Sequence, residues 1–324
     1  MNVQYDIIPM HTTKQRILYG YPLGAITIAI LVYGDFLLYV FVSIMSLILM
    51  KEFYQLTGLR TERRIVTMRR WGYCLGLMIL FFVYSGRTQY LDLLIVAFIM
   101  IAMIHRLANF PKQKGDFLRE LSISILGGIF IGFFMSYFFR LKDLGIELRW
   151  MGIMPYGNKW LEACPYIGTV IHNIGWSTGK SNPMSTGPNW LVLLPIIGSW
   201  GYDFSAFFTG RIFGTAKLAP FISPKKTVEG MIGGLIGCAT ANVLVAMFIG
   251  IDPRFYLFLF IVGLIMGTMC QLGDLGISTI KREAGAKDSA SLIPGHGGLL
   301  DKYDGLLFVL PTAYYLIYFA YSFR

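Results

Sequence analysis

Two stretches of this 324-residue chain concentrate side chains that could do chemistry. One runs from Trp200 to Gly230, the other from Gln271 to Gly305. In the second, Asp274 closes one apolar run, and Asp301 and Asp304 open the next. Residues three apart share a helix face, so Asp301 and Asp304 should project together. Asp203 also sits inside an apolar run. A carboxylate at mid-membrane costs about 2.5–3.5 kcal/mol on insertion scales, so such a group normally faces a polar cavity and has a partner. Carboxylates crowded at low dielectric repel, and a divalent cation relieves the repulsion. Oxygen ligands without His or Cys suit Mg²⁺ better than Zn²⁺. The competing reading pairs the same acids with Lys281, Arg282, Lys287 and Lys302, and makes Asp203 a helix-packing residue.

The basic residues extend the first reading. Lys281, Arg282 and Lys287 in one segment, with Arg211, Lys217, Lys225 and Lys226 in the other, form a positive field. It could hold a polyphosphate or an anionic lipid head, or simply report membrane orientation. Gly295, Gly297 and Gly298 flank His296. Glycines let a backbone approach a ligand closely, and successive N–H groups in such turns make anion nests. His296 itself reads equally as a ligand, a donor to phosphate or a structural loop residue. Ser223, Lys225, Lys226 and Thr227 precede a span starting near Glu229, so a phosphate could sit at that helix N-terminus. There is no GxxxxGK[ST] and no HExxH, which argues against a P-loop NTPase and a zinc peptidase.

The elements that must carry these residues are membrane helices. Hydrophobic residues make up 55% of the chain, charged residues 14%, and mean hydropathy is +0.59. Soluble domains carry about a quarter charged residues. The apolar residues fall in blocks of roughly 20, enough to cross about 30 Å of hydrocarbon. The expected fold is all-α, a polytopic integral membrane bundle of about nine spans. They are placed near 17–33, 36–56, 70–86, 90–109, 118–140, 190–210, 230–250, 255–275 and 303–322. Residues 1–140 would form an N-terminal bundle of about five spans. Residues 141–189 would be a long non-cytoplasmic or interfacial loop anchored by tryptophans. Residues 190–324 would be the catalytic region, with about four spans and two cytoplasmic motif loops.

The net charge of +10 then reports orientation and contact with anionic lipid rather than nucleic acid. With the N-terminus in the cytoplasm, about 20 of the 28 Lys and Arg residues fall on the cytoplasmic side. The C-terminus would lie opposite. The four cysteines form no CxxC pair, which argues against a thiolate metal site. The first 16 residues hold no short apolar core leading to a small-residue cleavage site, so no cleaved signal peptide is expected.

From Ser278 to Asp304 the chain reads Ser278-x-Ile280-Lys281-Arg282-x4-Lys287-Asp288-x-Ala290-x2-Ile293-Pro294-x-His296-Gly297-Gly298-Leu299-x-Asp301-Lys302-Tyr303-Asp304. This resembles the C-terminal signature of the phosphatidate cytidylyltransferases (CDP-diacylglycerol synthases). The stretch with Asp203, Ala206, Gly210, Arg211, Phe213 and Gly214, then Ser223–Thr227, Glu229 and Gly230, is similar to the same family. The resemblance covers roughly 195–305. Three positions depart from the pattern: Lys302 where Arg is usual, Tyr303 where a small aliphatic residue is usual, and Ile277 where an acid is common.

The resemblance implies an enzyme that joins CTP and phosphatidic acid into CDP-diacylglycerol and pyrophosphate. The lipid phosphate would attack the α-phosphorus of CTP in line. Asp274 and Asp301 would hold Mg²⁺ with Asp304 in support, and a second cation, K⁺ or Mg²⁺, would sit nearby. Lys281 would join these acids in catalysis. The substrate-binding set would comprise Asp203, Arg211, Ser223, Lys225, Lys226, Thr227, Ser278, Arg282, Lys287, Asp288, His296, Gly297 and Gly298. A homodimer in membrane lipid is the expected assembly, in the cell inner membrane if the source is bacterial, with the active site facing the cytoplasm. The alternatives are a CTP-dependent kinase or cytidylyltransferase acting on another lipid, such as a polyprenol, and a transporter using its intramembrane acids.

Overall fold

The computed structural model describes residues 34–57, 63–108, 117–150, 189–286, 289 and 298–322, together with 27, 29 and 30. The apolar runs form helices: α1 (Phe36–Leu56), α2 (Arg63–Tyr84), α3 (Leu91–Ala108), α4 (Phe117–Gly127), α5 (Phe134–Trp150), α6 (Leu193–Phe213), α7 (Val228–Ile249), α8 (Tyr256–Glu283) and α9 (Leu300–Ser322). A π-helical turn, Gly128–Phe133, joins α4 to α5 without a break. Helices satisfy every backbone N–H and C=O within the segment, which hydrocarbon requires. Among the described residues the one sheet is an antiparallel hairpin between α6 and α7: β1 (Lys217–Ala219) and β2 (Ser223–Thr227).

Among the described residues, seven segments are long and apolar enough to cross a membrane: 36–56, 88–108, 118–148, 190–213, 228–249, 253–283 and 300–322. The fold is an all-α polytopic bundle. The expected span at 17–33 lies almost wholly outside the described residues. The expected span at 70–86 falls in α2, a 22-residue helix that begins with Arg63, Arg64, Arg69 and Arg70. Those charges lower its apolarity below that of the seven.

One boundary needs correction. The loop expected from 141 begins later, because α5 continues to Trp150. Two of its charges have partners inside the fold. Lys142 forms an ion pair with Asp35, just before α1. The Arg140 guanidinium lies 5.6 Å from the Phe133 ring centroid and 5.4 Å from that of Tyr137, a cation–π distance. Residues 151–188 lie outside the described residues.

Small residues set the packing of the C-terminal half. On α7, a Cβ at Gly233 would stand 2.1 Å from Thr209 Oγ1 of α6, and one at Gly237 would stand 2.1 Å from Ser205 Oγ. Without a hydrophobic drive between helices in lipid, such close backbone approach supplies the van der Waals attraction. The N-terminal half docks through aromatic rings. Phe130 and Phe134 lie 5.9 and 5.7 Å from Phe308 of α9, and the Tyr137 hydroxyl donates to that of Tyr315 at 3.0 Å.

Candidate active site

The chemistry expected from the sequence gathers where α8 crosses α9. The crossing is tight because both partners are glycines. A Cβ on Gly273 would stand 2.5 Å from the Asp304 carbonyl oxygen and 3.1 Å from Gly305 Cα. A Cβ on Gly305 would meet Cys270 Sγ at 2.5 Å. Asp274 follows Gly273 and Asp304 precedes Gly305, so the contact that joins the helices also brings these carboxylates together.

Among the described residues, Asp203, Asp274, Asp301 and Asp304 meet Lys226, Lys281 and Lys302 at this junction. Asp274 forms an ion pair with Lys226 from β2 and accepts a hydrogen bond from Ser278 Oγ at 3.3 Å. Lys281 Nζ donates to Asp301 Oδ1 at 2.7 Å. The other Asp301 oxygen accepts from the Ser289 N–H at 2.9 Å, the Gly298 N–H at 3.1 Å and Ser289 Oγ at 3.0 Å. Asp304 is buried, accepts from the Gly305 N–H at 2.7 Å, and has Asp274, Asp203 and Lys281 as charged neighbours. Asp203, exposed on α6, has Asp274, Lys226 and Lys302 as its neighbours. Carboxylates crowded in a partly dry setting repel, and a bound cation would relieve that repulsion.

The donor set is all oxygen, which fits Mg²⁺. Among the described residues, however, no three acidic, His or Cys side chains stand close enough to hold a metal ion as they are. The expected three-ligand set of Asp274, Asp301 and Asp304 is not assembled, because Asp301 is turned to Lys281 and to backbone N–H groups. This arrangement still suits magnesium, which usually keeps several waters and takes one or two carboxylates plus substrate phosphates.

The hairpin supplies Lys226 and positions the residues around it. Successive strand residues face opposite sides. Lys226 accordingly reaches Asp274, whereas Lys225 is exposed, and Ser223 is half-buried. Arg282, expected on phosphate, has carbonyl partners in the structure. Its Nε donates to the Ile222 carbonyl at 3.1 Å and its Nη1 to that of Ala286 at 3.2 Å, pinning the hairpin to the end of α8. Thr227 is the N-cap of α7, its hydroxyl oxygen accepting from the Gly230 N–H at 3.1 Å. The Val228 N–H donates to the Ala216 carbonyl at 2.9 Å. The Glu229 carboxylate accepts from Thr215 Oγ1 at 2.5 Å and from the Ala216 N–H at 3.1 Å. A phosphate is therefore not expected at this helix N-terminus, where N–H groups are paired and a carboxylate already sits. The Gly298 N–H is likewise used by Asp301 rather than offered to an anion. Arg211 is exposed at the end of α6. Lys287, Asp288, His296 and Gly297 lie outside the described residues.

A sequence profile of the cytidylyltransferase family matches residues 14–320. The chain belongs to the cytidylyltransferase family. It is 39% identical over 224 residues to the phosphatidate cytidylyltransferase of Rickettsia bellii (strain RML369-C), covering 63% of this chain and 92% of that protein. It is 34% identical over 221 residues to the enzyme of that name from Rickettsia felis (strain ATCC VR-1525 / URRWXCal2), covering 64% and 95%. With the one from Synechocystis sp. (strain ATCC 27184 / PCC 6803 / Kazusa) the figures are 33% over 207 residues, 64% and 65%.

Within this cytidylyltransferase fold the departures from the signature have different surroundings. Ile277 is buried in the core, where it packs as an apolar residue, and Lys302 is exposed beside Asp203. Tyr303 is half-buried against the core cluster.

Two polar residues of the junction escaped the sequence reading. Glu52, just before the last turn of α1, is 1% exposed. Its Oε1 accepts from the Leu299 N–H at 2.9 Å, and its Oε2 from the Leu300 N–H at 2.7 Å and from Ser289 Oγ at 2.9 Å. An acid closing an apolar span was visible in the sequence at position 52. Its partners, 237 to 248 residues away, were not.

Proposed function

We propose that the protein transfers the cytidylyl group of CTP to phosphatidic acid, giving CDP-diacylglycerol and pyrophosphate. Family membership supports the reaction class, and the names of the relatives point to the acceptor. The observation that carries the reading for this chain is the convergence of Asp203, Asp274, Asp301 and Asp304 with Lys226, Lys281 and Lys302 at the α8–α9 crossing.

A lipid phosphate is already anionic at neutral pH, so it needs no strong general base to attack the α-phosphorus. The task is to bring anions together and to stabilise the charge that shifts to pyrophosphate. Lys226 and Lys281 are placed to exchange their carboxylate partners for phosphate oxygens. Asp274, freed from Lys226, and Asp304 beside it would hold Mg²⁺, with Asp301 turned toward the same side. That ion, when bound, neutralises phosphate oxygens and orients the reacting groups. Asp203, exposed on α6, marks the side on which a lipid head could reach the cluster with its tails in the leaflet. In the proposed orientation the N-terminus and this cluster face the cytoplasm and the C-terminus lies opposite. A homodimer is part of the proposal, to be checked by sedimentation in detergent.

The test supplies the full chain in proteoliposomes with phosphatidic acid and CTP labelled on the cytosine ring or on the γ-phosphate. Cytosine label in lipid and γ-label in pyrophosphate is the expected result. Gamma-label in lipid with free CDP would make the protein a lipid kinase. Substrate flux without CTP consumption would make it a transporter.

A further inference from the structure

We propose that Glu52 is a positioning residue for the reaction: from the N-terminal half it holds the start of α9 and, through Ser289, the Asp301–Lys281 pair. The inference rests on the transfer reaction proposed above.

Glu52 lies just before the last turn of α1, toward the end of the helix whose partial negative charge does not favour a carboxylate. Glu52 is also 1% exposed, and among the described residues its hydrogen-bonding partners are the N–H groups of Leu299 and Leu300 and the Ser289 hydroxyl. Such a group is tolerated where the surrounding donors require it. Here the donors are the first N–H groups of α9, which no residue within that helix can satisfy. Glu52 is thus an N-cap supplied from another helix, and it favours the positive end of the α9 dipole. The helix it caps carries Asp301 and Asp304.

Ser289 makes the connection specific. Its hydroxyl oxygen lies 2.9 Å from Glu52 Oε2 and 3.0 Å from Asp301 Oδ2. One hydroxyl has one proton, so it cannot donate fully to both. When Asp301 turns toward a ligand, the proton is free to go wholly to Glu52, which keeps the loop residue in place. Without Glu52 the hydroxyl stays with Asp301, and the start of α9 loses two charge-assisted bonds. Both effects act on the Asp301–Lys281 pair, the group placed to meet the polyphosphate. The lipid acceptor would approach from the Asp203 side, away from this contact.

The test uses Glu52→Gln, Glu52→Asp and Ser289→Ala in the full chain, with rates normalised to folded protein. We expect Glu52→Gln to lower kcat about tenfold and raise KM for CTP about tenfold, a loss of the size one or two charge-assisted hydrogen bonds carry. KM for phosphatidic acid should stay within about twofold, and Glu52→Asp should recover part of the loss. Hydrogen exchange should speed at Leu299 and Leu300 in Glu52→Gln with the amides of α7 unchanged. Ser289→Ala should give the same pattern more weakly, and the double variant should be less than additive. If Glu52→Gln does not fold, Ser289→Ala carries the test. A loss in kcat alone with both KM values unchanged would mean a structural role only and overturn the proposal, as would unaltered exchange at Leu299 and Leu300. Exchange is read without substrate, so a wild type that transfers no cytidylyl group would defeat the proposed reaction and leave the capping measurement to be judged separately.

Discussion

Gly273→Ala tests whether the close α8–α9 crossing sets the geometry of the carboxylates. The added Cβ would meet the Asp304 carbonyl oxygen at 2.5 Å, Phe308 Cδ2 at 2.9 Å and Gly305 Cα at 3.1 Å. Ordinary van der Waals contact begins near 3.4 Å, and two of the three obstacles are backbone. The helices must therefore part by about 0.9 Å at the point where Asp274 and Asp304 face each other, since a close-packed interior transmits such strain. A misplacement of about 1 Å at a reacting site can lower a rate about 10²-fold. Overpacking of this kind also costs about 1–3 kcal/mol of stability. The matched control is Gly276→Ala on the same helix, where an added Cβ meets nothing within 4 Å. Ala is favoured over Gly in a helix interior by about 1 kcal/mol, so this variant should be as stable as wild type or more so. Initial rates of label transfer from CTP to lipid, with thermal unfolding of each variant, read both effects. We expect Gly273→Ala to lose about 10²-fold in kcat and Gly276→Ala to stay within about twofold. Full activity in Gly273→Ala would refute the link between the crossing and the carboxylates.

Asp301→Asn should abolish transfer while the protein still inserts and purifies, because the amide cannot pair with Lys281 as the carboxylate does; near-wild-type turnover would remove Asp301 from the mechanism. Chelation of divalent cations should stop transfer and added Mg²⁺ should restore it, whereas activity in excess chelator would contradict the cation assignment. Thr227→Ala should destabilise the start of α7 by about 1 kcal/mol through loss of its cap, seen as a lower unfolding temperature.

The membrane bundle was legible because hydrocarbon length and backbone satisfaction leave one solution for runs of apolar residues. Placement of Asp274 and Asp304 at one junction also followed from the chain, since each acid marks the edge of an apolar run, although α8 continues nine residues past Asp274. What remained hidden were pairings between elements. Arg282 and Thr227 have the residue types of a phosphate site, but in the fold they tie a hairpin and cap a helix. Composition cannot distinguish a cation aimed at a ligand from one aimed at a carbonyl. The extension of α5 past Arg140 was missed because the partners of Lys142 and Arg140, an acid before α1 and two aromatic rings, show only in the fold. Glu52 was passed over because its meaning depends on N–H groups almost the whole chain away.

The most direct measurement compares wild type with Asp274→Asn in the same liposomes, following cytosine-labelled CTP into lipid at saturating Mg²⁺. If carboxylates and lysines at the α8–α9 junction carry the transfer, wild type should label the lipid and the variant should not, although both insert equally. Equal labelling by the two proteins would place the chemistry elsewhere in the molecule.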